Sequence, residues 1–496
     1  MDGFMAVLWF LFPLTLLSAM MRLVSKRVNK HNPPGPTPLP IIGNLHLVGN
    51  LPNQSLAKLA KTHGPLMSLK FGQVTTIVIS SSAIAKEAIQ KQDLNFSSRS
   101  VPDGITALDH HDYSVVWLPV PTKWRTLRRI MNTYIFSASR LDGNQQLRSK
   151  KVEDLIAYCE QSRQTGEAVD IGRAAFRTSM NFLSNVIFSK DLADPLSDSA
   201  KEFKNVVWDV MVEATRPNLV DFFPVLRKLD PQSVRRRMAV HYTKIFEIMR
   251  ALISERVESK KSGGSNIDVL DDLLSLCKET PEEVDRDLIE HLFLDMFIAG
   301  TDTTSNTVEW GMAQLLKNPK VLKKAQAELE EVIGRGKKLE ESDIARLPYL
   351  QCVVKETMRL HPAVPFLIRK VEKDVKIFDY ILPGGSRVLV NVWAIGRDET
   401  AWEDASVFKP ERFVGSDIDI RGRDFDLIPF GAGRRTCPGL SLAVRAVPVM
   451  IGSLINMFDW KLEGGIKREE LDLDEKFGIT LQKARPLRAV PVGLKI

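Results

Sequence analysis

Phe430-Gly431-Ala432-Gly433-Arg434-Arg435-Thr436-Cys437-Pro438-Gly439 reads F-x-x-G-x-R-x-C-x-G, one cysteine between glycines and arginines just ahead of an apolar stretch. Glycine lets a backbone come close to a flat macrocycle, and arginine neutralises a haem propionate. Backbone N–H groups aimed at sulfur weaken its basicity and tune a bound iron. The segment therefore suits an axial haem ligand, Cys437, framed by Phe430, Gly433, Arg435 and Gly439. The same residues could also form an ordinary buried cysteine in a glycine turn.

The surrounding chain is long enough to enclose a cofactor. Its 496 residues are 44% hydrophobic, evenly spread, and no Gly/Ser/Pro linker divides them. The net charge of +7 is modest, and acids and bases interleave, as in Lys323-Lys324-Ala325-Gln326-Ala327-Glu328. No basic stripe with interleaved aromatics speaks for nucleic acid. The other cysteines, Cys159, Cys277 and Cys352, have no C-x-x-C spacing. They read as small buried hydrophobes in a reducing compartment rather than as zinc ligands.

Residues 1–30 read as a membrane anchor with a basic flank. Phe4 to Met21 carry no charge, and Arg22, Lys26, Arg27 and Lys30 follow them. That charge order places the N-terminus in the lumen and the body in the cytosol, as a single-pass protein. A cleaved signal peptide would show the reverse order. Residues 31–44, with Pro33-Pro34-Gly35-Pro36-Thr37-Pro38-Leu39-Pro40, read as a stiff hinge. Residues 45–496 then form one domain.

Within that domain Leu66–Phe71 and Val74–Ile79 alternate around Gly72-Gln73 and predict a hairpin. Helical periodicity dominates from about residue 120. A capping box at Thr280-Pro281-Glu282-Glu283 predicts a helix running to about Leu316, apolar on nearly every side from Leu292 to Gly300 except at Asp295. Another is expected from Asn318-Pro319 to Gly334, with strands late in the chain, as at Arg387 to Val392. The fold class is mainly α with small β-sheets.

Three further constellations bear chemistry. Ala299-Gly300-Thr301-Asp302-Thr303-Thr304 puts an acid and hydroxyls inside an apolar helix. Asp302 with Thr303 can relay a proton, or the threonines can simply bond back to the i−4 carbonyls. Gly300 allows close approach or a local opening of the helix. Glu356 and Arg359 share a helix face, with Arg412 available as a third partner. Trp124 and Arg128 lie four apart, so an indole N–H and a guanidinium can grip one carboxylate.

Taken in order, these four constellations resemble the cytochrome P-450 monooxygenases along nearly the whole chain. Segments such as Ser114-Val115-Val116-Trp117-Leu118-Pro119-Val120, Trp393-Ala394-Ile395-Gly396-Arg397-Asp398 and Lys476-Phe477-Gly478-Ile479-Thr480-Leu481-Gln482 are similar to a plant microsomal group that hydroxylates monoterpenoids. The resemblance implies the P-450 fold, haem b bound by the Cys437 thiolate, and electrons from NADPH through cytochrome P-450 reductase. It implies propionate contacts at Trp124, Arg128, Arg369 and Arg435, proton delivery by Asp302 and Thr303, and a structural triad of Glu356, Arg359 and Arg412. Implied substrate contacts are Val115, Phe297, Ala299, Val364, Phe366 and Ile479. The implied substrate is a small apolar terpenoid, geraniol or a related acyclic monoterpenol, and the implied location is the endoplasmic reticulum membrane. Another terpenoid or a phenolic substrate, a non-oxygenating haem protein and an oxygen-independent rearrangement enzyme are the alternatives. Two segments depart from the group's pattern. His361-Pro362-Ala363-Val364-Pro365-Phe366-Leu367-Ile368-Arg369-Lys370 has one proline replaced and lacks another, and Asp109-His110-His111-Asp112-Tyr113 is unusually polar. Its histidines read as loop surface.

Overall fold

The alternating runs around Gly72-Gln73 form the expected hairpin, β1 (Leu66–Phe71) and β2 (Val74–Ile79), with Gly72 at φ 58° making the turn. This is seen in a computed structural model that describes residues 31–120, 123–193, 198–261 and 268–494. The apolar stretch from 4 to 21 and its basic flank lie outside the described residues. The proline hinge does not stand off as a free spacer. Pro34 O accepts the Ser68 N–H at 2.8 Å and Pro36 O accepts the Asn44 side-chain amide at 3.2 Å, so it lies along β1. A Cβ on Gly35 would come within 1.9 Å of the Ser68 carbonyl oxygen.

Among the helices that frame the centre are α1 (Trp124–Ile130), α2 (Ile171–Phe188), α3 (Val234–Lys261), α4 (Arg286–Lys317), α5 (Pro319–Val332), α6 (Pro348–Leu360) and α7 (Leu440–Met457). Strands β3 (Phe366–Lys370) and β4 (Arg387–Asn391) complete a four-stranded sheet in the order β1-β2-β4-β3. The β2–β4 pair is parallel and the others are antiparallel.

The start of α4 departs from expectation. Asp285, in extended backbone, caps it by accepting the Leu288 N–H at 2.7 Å. Thr280 instead closes the preceding helix, donating its N–H to Leu276 O at 2.8 Å. An aspartate cap with three free donors ahead of it outcompetes the Thr-Pro box.

Helix α4 ties together two apolar cores. Leu288, Ile289, Leu292, Phe293 and Phe297 belong to one, with α2 and α3; Val308, Met312, Leu315 and Leu316 belong to the other, with α5, α6 and α7. Residues 299–304 belong to neither, which leaves the middle of the helix free to border a site. Gly300 serves close approach, since a Cβ there would sit 2.7 Å from Leu183 Cδ1 of α2, and the helix runs on unbroken.

Candidate haem site

The cysteine segment is a loop shaped by its glycines. Gly431 and Gly433 both take φ 68°, and a Cβ on Gly433 would lie 2.3 Å from the Ile89 carbonyl oxygen. The Cys437 N–H closes the loop on Phe430 O at 3.0 Å, and Gly439 opens α7. Cys437 is exposed by surface area, yet burial pushes its thiol pKa up, opposed by the Gly439 and Leu440 N–H groups and the Arg128 and Arg99 guanidiniums. Its sulfur therefore lines an interior space rather than the outer surface. Ala299 of α4 is likewise exposed although its helix crosses the interior.

Four arginines surround that space: Arg99, Arg128, Arg369 and Arg435. Among the described residues none of them meets a carboxylate. Arg128 donates to Thr436 O at 3.0 Å, Arg369 only to the neighbouring Ile368 O at 2.9 Å, and Arg99 Nε is buried without a partner. Arg435 donates to Ser97 O at 2.8 Å and to the carbonyls of Val115, Val116 and Leu118. Trp124 lies against both Arg435 and Arg128, whose guanidinium carbons are 5.1 and 5.6 Å from its ring centre. Burial lowers all four arginine pKa values, to about 10 for Arg99 and about 9 for Arg435, and repulsion from the neighbouring arginines adds to it at Arg99, Arg369 and Arg435. Buried like charges without counter-ions are costly. A cluster of this kind suits a buried dianion beside a thiol, and the two propionates and the iron of haem fit both features.

Arg99 has no signal in the local sequence. An isolated bridge between Ser98 and Lys370 of β3 carries it to Arg369, and only the tertiary pairing shows this.

On α4 the threonines bond back to the helix: Thr303 Oγ1 to Ala299 O at 2.7 Å, Thr301 to Phe297 O at 2.6 Å, Thr304 to Gly300 O at 3.1 Å. The Asp302 carboxyl does not meet Thr303. It accepts from Thr480, from Asn306 at 3.1 Å and from Gln482 at 3.2 Å, and burial raises its pKa against these bonds. Thr480 and Gln482 are thus partners of Asp302 that local sequence did not reveal.

Two expected substrate contacts lie elsewhere. Phe297 is fully buried and packs on Phe203 at 4.9 Å and Phe188 at 6.1 Å, on the side of α4 away from Ala299, because two residues turn a helix by about 200°. Phe366 is buried with Leu56, Met67, Phe71 and Val78, its ring 6.0 Å from Phe477. Val364 is half-buried and Ile479 exposed. The Leu481 N–H donates to Ala363 O at 2.8 Å and brings their two segments together.

The polar loop also corrects the reading of its histidines. Leu108 and Asp109, at φ 49° and 54°, turn the chain inward, and His110 is 2% exposed. His111 stays partly exposed.

Below the site Glu356 and Arg359 of α6 form a buried pair. Arg359 Nε and Nη2 reach Glu356 Oε2 and Oε1 at 2.7 and 2.8 Å, and Arg412 Nε reaches Oε1 at 3.1 Å. At the end of α6 His361 stacks on Trp310, ring centres 3.8 Å apart, and contacts Gln314 at 2.8 Å. Burial lowers its pKa to about 4. The folded imidazole thus resists a proton that the unfolded chain takes up below about pH 6.5, so stability falls as pH drops from there toward 4. His361→Gln should lose less of its thermal midpoint than the natural protein on going from about pH 7 to about pH 5. Equal losses would contradict this account of His361.

A helical fold with a cysteine loop ringed by buried arginines that lack carboxylate partners suits a haem-thiolate protein. The chain belongs to the cytochrome P-450 family, which it matches over residues 33–487. It is a monooxygenase of that family, with a haem-thiolate centre supplied with electrons by a reductase. It is 63% identical over 495 residues to geraniol 8-hydroxylase of Catharanthus roseus, covering 100% of both chains. It is 62% identical to geraniol 8-hydroxylase of Swertia mussotii, covering 98% of each, and 56% identical to 7-ethoxycoumarin O-deethylase of Helianthus tuberosus, covering 94% and 95%.

Proposed function

We propose that this monooxygenase hydroxylates geraniol or a related acyclic monoterpenol, from a single-pass anchor in the endoplasmic reticulum membrane with residues 45–496 in the cytosol. The full-length similarity to two geraniol 8-hydroxylases carries the substrate. The charge order around Phe4 to Met21 supports the topology.

Haem, when bound, supplies the reduction of dioxygen and the oxidation of a C–H bond. The chain's residues do the rest. Cys437 supplies the thiolate, whose basicity the Gly439 and Leu440 N–H groups moderate. Trp124, Arg128, Arg369 and Arg435, with Arg99, hold the propionates, and Phe430, Gly433 and Gly439 shape the loop. Val115, Ala299, Val364 and Ile479 present mostly apolar surface, so shape selects the carbon.

Thr303 offers the hydroxyl that hands on a proton, and Asp302, its pKa raised by burial, is the acid of the pair. Delivery requires the Asp302 carboxyl to exchange Thr480, Gln482 or Asn306 for a route to Thr303. Thr303→Ala is expected to lower product formed per NADPH by on the order of tenfold or more, with peroxide rising to match. Unchanged coupling would count against the relay.

The assignment is tested by turnover in microsomes with reductase and NADPH, geraniol and 7-ethoxycoumarin being offered in parallel. Hydroxylated geraniol as the preferred product is expected. No geraniol oxidation, with or without coumarin turnover, would sink the substrate.

A further inference from the structure

A cavity lies where α2, α4 and α7 meet. Its walls include Phe182 and Leu183 of α2, Gly300 and Thr304 of α4, and Leu442 and Ala446 of α7. Its free volume is about 40 Å³, well short of the roughly 300–1,000 Å³ of a pocket for a drug-sized ligand. A terpenol is therefore too large for it, and only very small molecules fit.

The polar groups along the cavity are already spent or shut off. Thr304 donates to Gly300 O at 3.1 Å and Thr178 to Ala174 O at 3.0 Å. At the outer end, beside half-buried Ser149, Arg148 Nη2 reaches Glu341 Oε2 at 2.7 Å and Lys151 pairs with Asp191 at 2.7 Å. Arg148 Nη1 and Ser179 Oγ have no partner, but both atoms are themselves buried and do not open onto the free space. What faces the cavity is mostly apolar carbon. Such a space stays dry and takes apolar guests.

Its position adds to this. Gly300 and Thr304 are one turn apart on α4, about 100° round the helix from Ala299 and Thr303, which border the haem space. Leu442 stands in the first turn of α7, which opens at Gly439 directly after the cysteine loop. The edge of α4 and the start of α7 thus separate the cavity from the reaction centre. The reaction consumes dioxygen, a small apolar molecule that gains by leaving water for such a space.

We propose that this cavity is a dioxygen site: a way-station that gathers the gas beside the haem space, between the Arg148 end and the middle of α4, apart from the place of the larger substrate. This rests on the haem-site reading above, and not on the choice of geraniol.

Xenon and carbon monoxide serve as probes, since both are apolar and neither is oxidised at the site. The haem space of the natural holoenzyme is first filled with 4-phenylimidazole, so that xenon is left with the cavity. Xenon should then bind saturably, read as a shift of its NMR line, and Ala446→Leu, which fills the cavity, should lose that binding. Without the imidazole, Ala446→Leu should keep the normal carbon monoxide spectrum. Carbon monoxide should associate and dissociate more slowly in it, each by about twofold or more and by the same factor, leaving the affinity unchanged. Xenon added to the natural protein should slow carbon monoxide in the same way. No saturable xenon binding to the natural protein would overturn the site. Xenon binding with unaltered gas rates would overturn the way-station, as would a cavity filled by ordered water in a crystal under xenon. Should Ala446→Leu fail to load haem, Val449→Ile, with one added methylene, and the xenon effect on the natural protein decide. A natural protein without the thiolate spectrum would instead defeat the haem-site reading, while xenon binding still decides whether the cavity takes gas.

Discussion

Replacing Cys437 by alanine is expected to abolish oxidation and to remove the red-shifted carbon monoxide band of the reduced protein, while the fold survives. The backbone of the loop does not depend on the thiol. Its closure is the Cys437 N–H on Phe430 O, and its turns are made by Gly431 and Gly433. The arginine cluster also persists, so haem is expected still to enter the site. What disappears is the sulfur that would ligate the iron, and with it the thiolate character that the haem chemistry would draw on. The predicted variant is thus a folded, haem-binding protein with an altered spectrum and background turnover. A variant that kept the red-shifted band would move the iron ligand to another residue.

Glu356→Ala should have the second largest effect, on stability rather than chemistry. Glu356 and the Arg359 side chain are fully buried. Besides Arg359 and Arg412, Glu356 accepts the Lys409 N–H at 2.7 Å, and Arg359 reaches the carbonyls of Gly396, Ala405 and Val407. The pair therefore pins α6 to the segment 396–412 that leads toward the cysteine loop. Removing one partner of a buried ion pair costs about 3–5 kcal/mol because the other charge remains. Against a total stability of about 5–15 kcal/mol that loss is severe. The measurement is the yield of soluble, haem-loaded protein and its thermal midpoint. An unshifted midpoint would show that the cluster is dispensable.

Local chemistry made some of this architecture readable in advance. The hairpin follows from alternation broken by Gly72-Gln73, and α5 from Asn318-Pro319 before and Gly334 after. Elsewhere tertiary competition decided. Thr280 serves the preceding helix, and Asp285 caps α4 instead. Phe297 follows the helical period into the aromatic core, a direction that depends on which side of α4 meets α2 and α3. The parallel β2–β4 pairing, the approach of Arg99 to Arg369, and the Thr480 and Gln482 bonds to Asp302 join residues far apart in the chain. Asp295 and His110 each stood out as polar residues in the wrong company. Only the fold shows that they meet, His110 Nε2 lying 3.2 Å from Asp295 Oδ1.

The most direct test is to give the purified protein geraniol, reductase and NADPH under isotopically labelled dioxygen. The account predicts a hydroxylated geraniol carrying one labelled oxygen atom per molecule, absent from Cys437→Ala. Product without the label, or no product from a protein that shows the thiolate–haem spectrum, would contradict it.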